Sequence, residues 1–140
     1  MKQMKKIAII TLVLALLIQP LPNTKSMAAV ADSGISTQSE NLAGMSILLD
    51  IDSDGATYCI TNIVGEPGTT RIEGTMKLKK VTSSGTTTVK SWNISANSRT
   101  LIVSKTCYIL SRGTYRLEVK VKVTRNGKSE TTTGSNTKKY

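Results

Sequence analysis

Tyr115-Arg116-Leu117-Glu118-Val119-Lys120-Val121-Lys122-Val123-Thr124 alternates apolar and polar side chains without a break. Successive side chains of an extended chain point to opposite faces, so this stretch presents one greasy row and one wet row. It reads as a strand of an antiparallel sheet with a single solvated side. The same period runs through Arg71 to Lys79, where Ile72, Gly74, Met76 and Leu78 alternate with Arg71, Glu73, Thr75, Lys77 and Lys79.

Outward from these two stretches, turn signals recur at short, even spacing: Ser53-Asp54-Gly55, Gly65-Glu66-Pro67-Gly68, Ser83-Ser84-Gly85, Ala96-Asn97-Ser98, Ser111-Arg112-Gly113, Asn126-Gly127 and Gly134-Ser135-Asn136. That punctuation marks a β-sandwich or barrel. Weaker strands are expected at 45–52, 56–64, 86–94, 101–110 and from 129 to the C-terminus, where many threonines suit a pleated, half-buried surface. Asn126-Gly127 tolerates the positive φ angles of a two-residue type I′ turn, so the last two strands should form a hairpin. The fold expected is all-β: a single antiparallel β-sandwich of about seven strands, immunoglobulin-like in arrangement. Tyr115, just after Gly113-Thr114, is placed either as a tyrosine corner, whose hydroxyl bonds back to upstream backbone, or as a plain core tyrosine.

At the other end, Lys5 and Lys6 precede an apolar run from Ile7 to Ile18, followed by Gln19-Pro20 and small residues. This is the layout of a secretory signal peptide, with a helical apolar segment too short to span a bilayer. Residues 1–29 are assigned to it, 30–44 to a flexible joining segment and 45–140 to the sandwich domain. Ser26-Met27-Ala28 and Ala29-Val30-Ala31 both fit the cleavage rule. The mature chain is expected to be secreted, with no membrane span.

The chain carries a formal charge of +10, of which the four leader lysines supply four. The rest is unevenly distributed: residues 74–140 hold fourteen Lys and Arg against Glu118 and Glu130, whereas residues 30–73 are mostly acidic. Such asymmetry points to a polyanion partner. Pairing of the two best strands would set Lys77, Lys79, Arg116, Lys120 and Lys122 side by side as a cationic stripe. Wall polyanions or anionic lipid fit this stripe; nucleic acid is not expected, because no aromatic interleaves it to stack on bases. Solvated lysines that keep strands unpaired are the plainer alternative.

Ser91-Trp92 closing one strand, Gly113-Thr114-Tyr115-Arg116-Leu117 opening the next, the Asn126-Gly127-Lys128-Ser129-Glu130 hairpin and a polar tail ending in Tyr140 together resemble a family of short secreted proteins of Gram-positive bacteria with a domain of unknown function. The resemblance covers roughly residues 45–140. It implies a β-sandwich module and supplies no activity or site. A regular cysteine pair is not part of that pattern, so Cys59 and Cys107 depart from it.

Those two cysteines are the only ones, and an even count in an exported chain points to a disulfide worth about 4 kcal/mol in the chain-entropy view. Two buried free thiols are the alternative. Asp50, Asp52, Asp54 and Gly55 match the opening of a calcium loop, but the position of its closing bidentate acid holds Thr61, which leaves an acidic β-turn as the plainer expectation. Trp92 shares a strand face with Ile94 and reads as core filler. Without a histidine the usual acid, base and thiol-activating roles lack candidates. The chain is therefore expected to be a non-enzymatic binding or structural module without a cofactor; the alternative is a secreted cationic toxin or antimicrobial effector acting on walls or membranes.

Overall fold

Alternation along the chain becomes pairing between strands in the computed structural model, which describes residues 34–36 and 39–140. The expected leader lies outside those residues. Eight strands follow one another: β1 (Gly34–Ser36), β2 (Leu42–Ile51), β3 (Ala56–Gly65), β4 (Thr69–Thr82), β5 (Gly85–Ala96), β6 (Thr100–Tyr108), β7 (Thr114–Arg125) and β8 (Lys128–Lys139). Seven are long and β1 has three residues; no helix occurs among the described residues. All pairs are antiparallel, in a five-stranded sheet ordered β1-β8-β7-β4-β5 and a three-stranded sheet ordered β2-β3-β6.

The sheets stack face to face. From β7, Tyr115, Leu117, Val119, Val121 and Val123 point inward, joined by Ile72, Met76 and Leu78 from β4; Met45, Ile47, Leu49, Cys59, Ile63 and Leu101 meet them from the smaller sheet. Ile94 is buried and Trp92 half-buried against the same core, on the β5 face that opposes Gly74 and Met76. Such burial removes apolar surface from water, at about 25 cal/mol per Å².

Strand β8 looks polar in sequence but forms a wall of the core. Its inward row includes Thr132, Gly134 and Asn136, all buried. A Cβ on Gly134 would lie 2.8 Å from Ile47 Cδ1 and 2.9 Å from Met45 Sδ, so the bare backbone makes room for β2 side chains. Amide side chains then close this side: Asn136 Nδ2 donates to Ile47 O (2.9 Å), and Asn41 Nδ2 donates to Val123 O (3.1 Å) and Lys128 O (3.2 Å). Glu130 accepts from Ser39 Oγ (2.6 Å) and Asn41 N (2.9 Å). These bonds, rather than hydrophobic alternation, order the start of β2, which is why Leu42–Gly44 carry no period.

On the opposite side the two edge strands carry lysines on their interior faces. Lys90 stands opposite Leu78 and Lys105 opposite Cys59, and β5 has a bulge next to Lys90. Inward charges and bulges block the addition of a further strand. At the hairpin between β7 and β8, Asn126 and Gly127 have φ of 50° and 76°, the pair of positive angles a type I′ turn requires. Tyr115 is buried, and its hydroxyl donates to Ser111 O at 2.7 Å, the back-bond of a tyrosine corner.

Candidate functional site

The pairing of β4 with β7 decides where the cations go. Lys79 stands opposite Arg116, Lys77 opposite Glu118, Thr75 opposite Lys120 and Glu73 opposite Lys122. The intervening residues of both strands form the core, so this whole grid faces outward. Thr131, Thr133, Ser135 and Thr137 of β8 flank it on one side, and Ser91, Asn93 and Ser95 of β5 on the other. All five cations of the expected stripe thus share one face, interleaved with two glutamates.

The glutamates divide those cations into two kinds. Glu73 takes Lys122 (2.9 Å) and Arg71 (2.8 Å), while Glu118 takes Lys79 (3.0 Å). Lys122 and then Arg71 hold the Glu73 carboxyl below its ordinary value. Exposed pairs of this kind stabilise by about 0–1 kcal/mol each, so their main effect is to neutralise charge locally. Among the described residues Lys77, Arg116 and Lys120 have no carboxylate within bridging distance. With about 6.8 Å between alternate residues of a strand, Arg116 and Lys120 are about 14 Å apart along β7, and Lys77 stands midway on the neighbouring strand. An open depression lined by Glu73, Thr75, Lys120, Lys122 and Thr131 lies beside this set. Such a face offers anions ammonium and guanidinium groups with hydroxyl donors around them.

The remaining candidates behave differently. Cys59 and Cys107 are free thiols, which corrects the expected disulfide. They lie on neighbouring strands of one sheet but out of register: Cys59 stands opposite Lys105, and Cys107 opposite Thr57. Diagonal neighbours are about 7–8 Å apart, beyond the Cα separation of about 7 Å that a bridge tolerates. Burial pushes the Cys59 thiol up to about 12 and also raises that of Cys107, so both stay protonated.

Asp50 pairs with Lys138 (3.1 Å) and accepts from Ile51 N (3.1 Å); Asp54 accepts from Ala56 N (3.0 Å) and so fixes the β2–β3 turn. The Asp52 carboxylate lies close enough to Tyr58 to raise its phenol. Among the described residues no three acids, cysteines or histidines converge as a metal set. Of the three aspartates Asp54 caps the β2–β3 turn, while Asp50 lies within β2.

One surface escaped the sequence. The outer face of β2-β3-β6 exposes Leu48, Tyr58, Ile102 and Tyr108, with Ile60 and Val64 half-buried among them. Ile47-Leu48-Leu49 and Leu101-Ile102-Val103 are unbroken apolar runs, and a strand apolar on both faces was the signal that could have revealed it. No family model matches the chain, and neither the curated proteins nor the solved structures gave a match.

Proposed function

We propose that this chain is a secreted, non-enzymatic binding module with an immunoglobulin-like sandwich that holds extracellular polyanions on the outer face of its larger sheet. Lys77, Arg116 and Lys120, without acidic partners among the described residues in the middle of that face, are the observation that carries the reading. The immunoglobulin-like part is supported by strand order: taking β2 to β8 as A, B, C, C′, E, F and G sets an A-B-E sheet against C′-C-F-G, with the tyrosine corner at the start of F. Lys5-Lys6 and the apolar run after them support export. The resemblance to short secreted proteins of Gram-positive bacteria agrees with both.

The geometry favours a wall-type polyanion over a bilayer. A membrane-surface element needs basic and apolar groups on one side. Here the lysines are on one sheet and Leu48, Ile102 and Tyr108 on the other, facing opposite ways. Retention on immobilised inorganic polyphosphate tests the reading. The protein should bind at low salt, and the variant Lys77→Gln/Arg116→Gln/Lys120→Gln should pass through unretained. Equal retention of the two would overturn it.

A further inference from the structure

We propose that the polyanion held on the β4–β7 face is a polyol phosphodiester chain whose phosphates are joined through three carbons. The inference rests on the polyanion reading and deepens it, because the free cations of that face recur with a period. The outward residues of β4 and β7 meet as rungs: Lys79 with Arg116, Lys77 with Glu118, Thr75 with Lys120 and Glu73 with Lys122. Glu118 takes Lys79, and Glu73 takes Lys122. Among the described residues this leaves one cation without a carboxylate on each of three successive rungs, in the order Arg116, Lys77, Lys120. The rungs are about 6.8 Å apart, so a ligand lying along the strands meets one free positive charge at each such step.

That step sets the number of bonds between the charges of the ligand. Two residues of extended backbone contain six bonds and advance about 6.8 Å. Phosphates joined through a three-carbon polyol are also six bonds apart (P–O, O–C, C–C, C–C, C–O and O–P), so an extended chain of this kind brings a phosphate to every rung. A five-carbon bridge makes eight bonds, about 9 Å at the same advance per bond, and its third phosphate overshoots its rung by about 4.5 Å. Phosphoanhydride links have two bonds, so three such phosphates span about 5 Å, less than one rung spacing. Long inorganic polyphosphate still reaches all three cations, which makes it a probe of charge that is blind to spacing.

The flanks of the rungs suit a polyol. Thr137, Ser135 and Thr133 of β8 border the three rungs on one side, and Thr88, Ser91 and Asn93 of β5 on the other. Hydroxyl and amide side chains both donate and accept, as the free hydroxyls of a polyol require. Open depressions beside Lys120 and beside Asn93 give those hydroxyls room. The sugar–phosphate backbone of a nucleic acid has the same six bonds between phosphates. Its bases, however, call for aromatic platforms, and no aromatic side chain stands on this face among the described residues.

Amide chemical shifts of the isotope-labelled protein, titrated at low salt with glycerol phosphodiester oligomers of one to four phosphates, test the spacing. Affinity should rise up to about fivefold with each phosphate to the third and no more than about twofold with the fourth, with shifts centred on Lys77, Arg116 and Lys120. The three-phosphate oligomer should bind more tightly than inorganic tripolyphosphate, which carries more charge, and more tightly than a ribitol-linked oligomer of three phosphates. Arg116→Gln should erase the gain from the second phosphate to the third. Tripolyphosphate binding as tightly as the glycerol-linked oligomer overturns the proposal, and so does an equally tight thymidine oligonucleotide with three phosphates. In either case, long polyphosphate retained by the native chain and released by Lys77→Gln/Arg116→Gln/Lys120→Gln would leave the polyanion reading standing. Loss of that retention in the native chain would refute the reading itself.

Discussion

Gly74→Ala tests the close approach of β4 and β7 on which the cationic grid depends. A Cβ at this position would fall inside the contact shell of Lys120 O, with Val121 Cα at 2.8 Å and Lys120 C at 2.9 Å. All three are backbone atoms of the facing strand, so no rotamer change relieves the clash. Carbon atoms in contact sit about 3.5–4.0 Å apart, so the strands must separate by about an ångström. Stretching one or two ladder bonds costs about 1 kcal/mol each, and overpacking adds about 1–3 kcal/mol. Alanine recovers about 0.5–1 kcal/mol over glycine in a strand interior. The expected net loss is about 2–3 kcal/mol, or about 10–20 °C in melting temperature for a domain of this size. Urea unfolding followed by fluorescence of the single Trp92, half-buried on neighbouring β5, reads it directly. Gly44→Ala is the control: nothing lies within 4 Å of its Cβ, and its stability should stay within about 0.5 kcal/mol of the parent or rise. A Gly74→Ala protein as stable as that control would refute the β4–β7 geometry.

Thr132 Oγ1 is buried without a hydrogen-bond partner, so Thr132→Val should stabilise by about 1 kcal/mol in the same assay; a loss would reveal a partner for the hydroxyl. Mass spectrometry after alkylation without reductant should show slow labelling of Cys107, none of Cys59 while folded, and two labels once unfolded; an unlabelled unfolded chain would restore the disulfide. Lys138 lowers Asp50, Lys122 and Arg71 lower Glu73, and Ser39 and Asn41 lower Glu130. Carboxyls depressed in the folded state contribute stability above their unfolded values and lose it as pH falls through their folded ones. The urea midpoint should therefore decline below about pH 4.3, and an acid-insensitive midpoint would contradict these contacts. Protonating Glu73 also releases Lys122 and Arg71, so polyphosphate retention should strengthen over the same acid range.

Much of the larger sheet was legible from residues alone. Val119, Val121 and Val123 alternate with charged neighbours, so period two gave both the strand and its buried face. Asn126-Gly127 announced its own turn, because few residue pairs accept two positive φ angles. Glu73 and Glu118 stood in the same outward rows as the lysines, and only the β4–β7 register shows which cations they neutralise. The smaller sheet was less readable, since Leu48 and Ile102 make its strands apolar on both sides and erase the alternation. Register defeated the cysteine reading: two thiols on adjacent strands look bridgeable until a two-residue offset appears. In β8, Thr132, Gly134 and Asn136 are too small and polar to advertise burial, which comes from the large β2 side chains resting on them.

Whether the β4–β7 face holds polyanions by charge is decided most directly by titrating polyphosphate into the protein at a series of salt concentrations. The expected result is a steep linear fall of log affinity with log salt, with a slope reduced by about 2 in Lys77→Gln/Arg116→Gln/Lys120→Gln, the share of three phosphate contacts on a single-stranded polyanion. An affinity that ignores salt, or a slope unmoved by removing those three charges, contradicts it.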